Sequence, residues 1–223
     1  MPYTEDTLVQ QTTADYLEQQ LGWRSVYAYN NEVFLSNPHP GPLPEGEGKV
    51  CLGRGSDREV VLERPLRQKL VALNPDLPES AYDEAVRQIT ATVAAQPLFA
   101  TNREKYTQII DGVQVTFRND KGERDRRRLR LFDFDAPDNN DFLCVRELWV
   151  RGDLYRRRAD IIGFVNGLPL LCIECKNLHK NLKAAFEQNF SDYRDTIPHL
   201  FHHNAIVMFG NGEQGRIGSI TSR

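Results

Sequence analysis

Residues 158–176 read RADIIGFVNGLPLLCIECK, and this stretch decides the fold. Two apolar runs are separated by the dipeptide Asn166-Gly167. Asn-Gly favours a two-residue hairpin turn, because both central positions of a type I′ turn need a positive φ. The stretch therefore predicts two antiparallel strands joined by a tight turn. The second run is almost wholly apolar, which predicts a central strand covered on both faces.

Charged side chains stand at the open end of this predicted hairpin. Asp160 opens the first strand, and Glu174 and Lys176 close the second. Because side chains alternate across a strand, Glu174 and Lys176 should share one face while Cys175 points to the other. Antiparallel pairing should bring Asp160 beside them. Charges at the end of a central strand are costly unless they are paired or bind metal, which favours a functional site here.

Two carboxylates and one ammonium group suit metal-assisted hydrolysis of a phosphodiester. Carboxylate oxygens are good ligands for Mg²⁺, which lowers the pKa of a water and stabilises charge on a phosphate. An Asp followed by Glu-x-Lys also occurs in ordinary surface hairpins with a charged end. From these positions alone, both interpretations stay open.

The charged positions are similar to the PD-(D/E)xK nuclease motif, with Ala159 in place of the usual proline. The wider chain resembles the N-terminal region of the R subunit of type I restriction enzymes. This resemblance covers nearly the whole chain, in the same order. The segments that carry it are DREVVL (57–62), NNDF (139–142), LYRRR (154–158), GFVNGLP (163–169), YRDTIP (193–198) and GSI (218–220).

The resemblance implies an α/β fold in which helices flank a mixed central β-sheet, the restriction-endonuclease-like core. It also implies a type I site-specific deoxyribonuclease that cuts double-stranded DNA. Asp160, Glu174 and Lys176 would be its catalytic residues. Asp160, Glu174 and the backbone carbonyl of Cys175 would bind one or two Mg²⁺ ions, and Lys176 would orient or activate the attacking water.

Three arginines next to the motif are expected to contact DNA. Arg156, Arg157 and Arg158 immediately precede the motif and can grip phosphates through forked hydrogen bonds. The alternative is a strand edge whose charge only prevents pairing with other chains.

A helix is predicted at residues 181–194, after the motif. In the family, this helix carries a Gln-x-x-x-Tyr element that helps to engage DNA. Asn189 stands four residues before Tyr193 and takes the amide position as a shorter side chain, with Gln188 in reserve. The alternative is that Tyr193 belongs to the core and the amides to the surface.

An amphipathic helix is predicted from Thr4 to Leu21, with Gly22 after its last apolar residue. Related nucleases often place an acidic residue on the equivalent helix, but Gln10 and Gln11 stand at its centre. Either glutamine could hydrogen-bond a metal-bound water, and Gln11 is the candidate chosen for this role. A solvated helix face is the alternative.

The 223 residues are interpreted as a single nuclease domain, excised from a longer chain. Residues 1–110 or thereabouts form a mostly helical N-terminal portion, in which a helix begins at Ser56 after a Pro- and Gly-rich loop at 37–48. Residues from about 111 to 223 form the sheet core that carries the motif.

No phosphate-binding Gly-x-x-x-x-Gly-Lys motif occurs in the sequence. We therefore expect ATP to be used only by the full-length protein, whose translocase would lie downstream. The resemblance implies methyltransferase and specificity subunits as partners, and DNA target recognition would belong to the specificity subunit.

Composition agrees with a cytoplasmic protein without a membrane partner. The formal net charge is −3, so no global basic field indicates nucleic acid binding, and local patches must provide it. No signal peptide or long apolar span is present. The cysteines lack paired CxxC spacing and are interpreted as buried thiols. They are Cys51, Cys144, Cys172 and Cys175.

Two other functional classes compete with the nuclease. One is a catalytically silent DNA-binding or subunit-docking module that keeps the nuclease fold. The other is a stand-alone repair or recombination nuclease. The intact Asp160, Glu174 and Lys176 favour the enzyme over the silent module.

Overall fold

The structure is a computed structural model that describes residues 9–28, 56–92, 96–119, 121–177 and 189–222. Its described strands are β1 (Arg24–Tyr27), β2 (Val113–Arg118), β3 (Arg124–Leu129), β4 (Phe142–Arg151), β5 (Arg156–Val165), β6 (Leu168–Cys175), β7 (Ile206–Gly210) and β8 (Gly215–Gly218). Six of them form one sheet in the order β1-β4-β5-β6-β7-β8. The β1–β4 and β6–β7 pairs are parallel and the other neighbours antiparallel, so the sheet is mixed.

The described helices are α1 (Gln11–Leu21), α2 (Glu63–Leu73), α3 (Glu79–Thr90), α4 (Leu98–Asp111) and α5 (Ser191–Thr196). These helices flank the mixed sheet, which confirms the predicted α/β class. None of them is long and apolar enough to cross a membrane. The predicted start of the first helix at Thr4, the loop at 37–48 and residues 181–188 lie outside the described residues.

The predicted helix start at Ser56 is wrong, because α2 begins at Glu63. Asp57 is engaged elsewhere: its carbonyl accepts the backbone N–H of Arg151 at 2.7 Å, and its carboxylate pairs with the same arginine at 3.2 Å. Pro65 falls in the first turn of α2, where the missing N–H has no helical partner to lose. The segment before α2 therefore fastens to the end of β4.

The hairpin turn between β5 and β6 has the predicted geometry, with φ of 51° at Asn166 and 82° at Gly167. A Cβ at Gly167 would lie 2.4 Å from the carbonyl oxygen of Leu62, so only glycine fits. Asn166 is fully buried, and its amide donates to the carbonyl of Leu131 and to the side chain of Asn140 at 2.8 Å each. The turn is thus locked into the core.

β6 is the central strand that its apolar sequence predicts, since it lies between β5 and β7. Cys172 packs into the core cluster that includes Tyr193, whereas Cys175 packs into the cluster beneath α1. The two thiols therefore face opposite sides, as alternation predicts. Burial raises the pKa of the Cys172 thiol, which keeps it protonated. Cys51 lies outside the described residues.

The two sheets do not follow the predicted division into an N-terminal helical portion and a C-terminal sheet portion. β1 comes from the N-terminal portion but pairs in parallel with β4 in the main sheet. β2 and β3 lie in the C-terminal portion but form a separate two-stranded sheet that packs against α3. The interpretation as a single domain stays a prediction.

β4 is distorted opposite the motif. Glu147 has a φ of 57°, in the left-handed region that a non-glycine residue rarely adopts. The register with β5 continues on both sides, but Glu147 and Asp160 do not form a pair. The alternation of side chains between the two faces of β4 shifts by one residue here, since Val145, Leu148 and Val150 all pack into one core cluster. The interruption lies beside the predicted catalytic aspartate.

Candidate active site at the hairpin end

Glu174 and Lys176 share one face at the end of β6, as their spacing predicts. The Lys176 Nζ lies 2.6 Å from the Glu174 Oε1, and the Lys176 and Glu174 side chains are only 10% and 4% exposed, respectively. A buried charge is tolerated when it is paired and hydrogen-bonded. The Glu174–Lys176 pair therefore lies at the bottom of the site, where it has little contact with solvent.

Asp160 lies beside this pair, in the middle of β5 and not at the start of the first strand as predicted. The register places Ile161 opposite Ile173, which brings the preceding Asp160 next to Glu174. The Asp160 Oδ2 accepts the backbone N–H of Cys175 at 2.8 Å. This bond anchors one carboxylate oxygen between the two residues of the Glu-x-Lys motif. The structure thus brings together the three predicted catalytic positions.

Asn189 and Tyr193 contact Glu174 directly. The Asn189 Nδ2 donates to the Glu174 Oε1 at 2.5 Å, and the Tyr193 hydroxyl lies 3.2 Å from its Oε2. The same hydroxyl donates to the carbonyl of Arg158 at 2.8 Å. The contact of these two residues with DNA stays a prediction. The observed geometry shows that both side chains hold Glu174 in place. Gln188 lies outside the described residues.

Tyr193 is held as a neutral donor. Burial raises the pKa of its hydroxyl far above the usual value, and the charges of Glu174 and Asp160 raise it further. Both carboxylates therefore act on one phenol, which is consistent with their convergence. Because Tyr193 also belongs to the main core cluster, the core interpretation of this residue is confirmed alongside its contact with Glu174.

The first helix brings Gln10, rather than Gln11, to the motif. The Gln11 amide contacts Asp15, and its Oε1 accepts hydrogen bonds from Arg146 and Tyr27. The Gln10 Nε2 instead donates to the carbonyl of Asp160 at 3.1 Å. Gln10 stands four residues before Ala14 and seven before Leu17, the buried residues of α1, so helical spacing could have placed its amide towards the sheet.

Each of the three predicted DNA-binding arginines has an acidic partner. Arg156 pairs with Asp57 at 2.9 Å, and its guanidinium lies 4.6 Å from the centre of the Trp149 ring. Arg158 pairs with Glu147 at 3.1 Å. Both arginine side chains remain about half exposed, at 49% and 47%. They retain accessible surface for a phosphate.

Arg157 is more firmly engaged. Its guanidinium donates to both carboxylate oxygens of Asp192, at 2.5 and 2.8 Å, and so ties β5 to α5. This bidentate pair raises the pKa of Arg157 and lowers that of Asp192. No local sequence signal could reveal these partners, because Asp57, Glu147 and Asp192 come from three distant segments.

The donor set at the hairpin end fits Mg²⁺. Asp160 and Glu174 offer hard carboxylate oxygens, and Mg²⁺ is commonly held by one or two carboxylates with water completing the octahedron. Across the described ranges, no group of three or more His, Cys, Asp or Glu side chains is arranged around a metal position. A two-carboxylate site with waters and the backbone carbonyl of Cys175 is compatible with that finding.

The fold and this constellation define a domain of the restriction-endonuclease-like class. The chain belongs to the family described as the type I restriction enzyme R protein N terminus, whose model matches residues 2–223. The resemblance deduced from the sequence is therefore confirmed.

Two curated relatives agree with this family. The chain is 37% identical over 218 residues to the type I restriction enzyme HindI endonuclease subunit of Haemophilus influenzae, covering 96% of this chain and 19% of the relative. It is 27% identical over 174 residues to a putative type I restriction enzyme MjaIXP endonuclease subunit of Methanocaldococcus jannaschii, covering 76% of this chain and 16% of the relative. The chain thus spans less than a fifth of the length of these relatives.

Proposed function

We propose that this chain is the nuclease part of a type I restriction enzyme R subunit and hydrolyses phosphodiesters of double-stranded DNA with Mg²⁺. The observation that carries the proposal is the convergence of Asp160, Glu174 and Lys176 at one end of the β5–β6 hairpin. Membership of the type I restriction enzyme R protein family supports a nuclease role for this geometry.

The chain's own residues would prepare the site for an incoming phosphate. Asp160 and Glu174, with the carbonyl of Cys175, would hold one or two Mg²⁺ ions. When bound, Mg²⁺ would supply a water of lowered pKa and stabilise charge on the phosphate. Lys176 is fixed by Glu174 and would orient the attacking water or donate to a phosphate oxygen. Water is largely excluded from the Glu174–Lys176 pair, which strengthens their electrostatic effect.

The DNA backbone would lie along the end of the sheet, where Arg156 and Arg158 are half exposed beside Asp160. Asn189, Tyr193 and Gln188 would support this surface from the following helix. In the complete protein we propose an ATP-driven translocase and a complex with methyltransferase and specificity subunits in the cytoplasm.

The proposal is tested by replacing Asp160 with Asn in the complete subunit, assembled with its partner subunits. Asn keeps an oxygen that can accept the Cys175 N–H but removes the charge. Double-strand cleavage should fall by at least a hundredfold while ATP hydrolysis continues at the wild-type rate. Asp83→Asn, which removes an exposed charge on α3, serves as the control.

Cleavage by Asp160→Asn at near the wild-type rate would exclude the proposed site. Loss of ATP hydrolysis together with cleavage, in a variant that still folds, would instead support the docking-module alternative. In that case this domain's surface would hold the assembly together without performing chemistry.

A further inference from the structure

The carbonyl of Asp160 lies where the strand ladder is interrupted. Glu147 and Asp160 are opposite each other in register but do not pair, because Glu147 adopts a left-handed conformation. A buried backbone carbonyl normally needs a hydrogen-bond donor. The Gln10 Nε2 supplies one, at 3.1 Å, from the first turn beside α1.

The orientation of the Gln10 amide follows from this hydrogen bond. Two carbonyl oxygens cannot hydrogen-bond to each other, so the nitrogen must face Asp160. The Gln10 Oε1 is then buried, and among the described residues it has no hydrogen-bond partner. Gln10 itself is only 3% exposed. An apolar side chain of similar length would avoid this unpaired oxygen, so the donor is the physical reason for an amide here.

Asp160 is therefore held through its carbonyl by Gln10 and through its carboxylate by the N–H of Cys175. Gln10 is fixed in turn by its neighbour Val9, which packs with α1 against Ile161 of β5. We propose that Gln10 is a positioning residue of the nuclease site, which sets the direction of the Asp160 carboxylate through its backbone. This inference rests on the proposed function, and it adds the start of the first helix to the parts of the chain that form the nuclease site.

The test compares Gln10→Met with Gln10→Asn in the complete, assembled subunit. Met keeps the length of the side chain but cannot donate, whereas Asn keeps the amide on a shorter stem. The kcat for DNA cleavage should fall at least tenfold in Gln10→Met and less in Gln10→Asn, because small displacements of reacting groups are costly. The KM for DNA should change less than twofold, and ATP hydrolysis should be unchanged. Calorimetry with Mn²⁺ alone should show weakened metal binding in the same order.

Gln108→Met is the matched control, since Gln108 of α4 also has a buried Oε1 without a partner in the described chain. Its cleavage and Mn²⁺ binding should remain within twofold of wild type. Wild-type kcat and Mn²⁺ affinity in a folded Gln10→Met would overturn the positioning role. If Gln10→Met fails to fold, Gln10→Leu, which also lacks a donor, takes its place, and wild-type kcat and Mn²⁺ affinity in that variant would overturn the role. The proposed function itself would fail only if Asp160→Asn also retained cleavage, so the two failures can be told apart.

Discussion

The Tyr193 hydroxyl lies 3.2 Å from the Glu174 Oε2, whereas the Lys176 ammonium contacts the other carboxylate oxygen, Oε1. Asn189 joins Lys176 at Oε1. Donors from two segments distant in sequence thus hold one buried carboxylate, which has about four lone-pair sites and can still bind a metal. The segment after the motif therefore holds Glu174 in place.

Replacing Tyr193 with Phe should destabilise the fold without emptying the core. The ring still packs, but the Arg158 carbonyl and the Glu174 Oε2 lose the one hydroxyl hydrogen that they share, which should cost about 1–3 kcal/mol in the free energy of unfolding. Urea denaturation measures the loss. Tyr106→Phe, at an exposed position on α4, should change stability by less than about 0.5 kcal/mol. Equal stability of the two variants would refute the importance of this hydroxyl.

Metal binding should depend on both carboxylates. We expect Mn²⁺ or Mg²⁺ to bind the wild-type chain with a micromolar to millimolar Kd, as suits an open carboxylate site. Asp160→Asn/Glu174→Gln should show no binding by calorimetry. The control, Glu79→Gln/Asp83→Asn, removes two carboxylates that pair with Arg67 on the surface. The same metal uptake in both double variants would contradict the assignment.

Lys176 should be strongly coupled to Glu174. Lys176→Met leaves a buried carboxylate without its cation, and we expect a loss of about 3–5 kcal/mol in unfolding free energy. Adding Glu174→Gln removes the unpaired charge and should recover part of that loss. A double-mutant cycle of denaturation measurements should give a coupling of about 1–3 kcal/mol. Additive effects would mean that the pair contributes no interaction.

The three arginines should contribute unequally to DNA affinity. Arg156→Ala and Arg158→Ala should weaken binding, and each should reduce the slope of log K against log salt by about 0.9 for every phosphate that the protein no longer neutralises. Arg157→Ala should have a smaller effect on binding, because Asp192 already occupies its guanidinium. Fluorescence anisotropy at several salt concentrations tests this order. Arg87→Ala, on the surface of α3, controls for net charge.

Acid should destabilise the chain partly through His203. Burial lowers the pKa of this imidazole to about 3, and the nearby Lys105 contributes. Since the folded pKa lies below the unfolded value of about 6.5, this contribution is present above pH 6.5 or so and is lost as the pH falls towards 3. Within that window the loss approaches about 1.4 kcal/mol per pH unit. Denaturation at several pH values should show a shallower acid dependence in His203→Gln; parallel curves would contradict this.

Local rules predicted the centre of the site. The Asn166-Gly167 turn and strand alternation depend on neighbouring residues, so they placed Asp160, Glu174 and Lys176 together. The helical pattern of residues 181–194 predicted the helix that carries Tyr193, and the family resemblance added the expected contact with DNA. These parts of the fold and site follow from short-range geometry and similarity.

Long-range contacts account for what could not be predicted. The left-handed Glu147 breaks the alternation that strand periodicity assumes, and no turn residue marks it. The choice of Gln10 over Gln11 is an exception, because Gln10 shares the buried helix face of Ala14 and Leu17 and short-range spacing could have indicated it. Asp57 forms ion pairs with Arg151 and Arg156, which are distant in sequence, and does not lie in the first turn of a helix. The capping pattern that begins at Ser56 was therefore misleading.

The parallel pairing of β1 with β4 makes the N-terminal portion inseparable from the site. A minimal nuclease cut to begin near residue 111 would lose both β1 and Gln10. It would leave Leu143 to Arg146 of β4 as an open edge, with unpaired backbone groups ready to join another chain. Such a truncation should aggregate rather than yield a smaller enzyme. β4 therefore has a paired neighbour on this side only when β1, from the first part of the chain, lies against it.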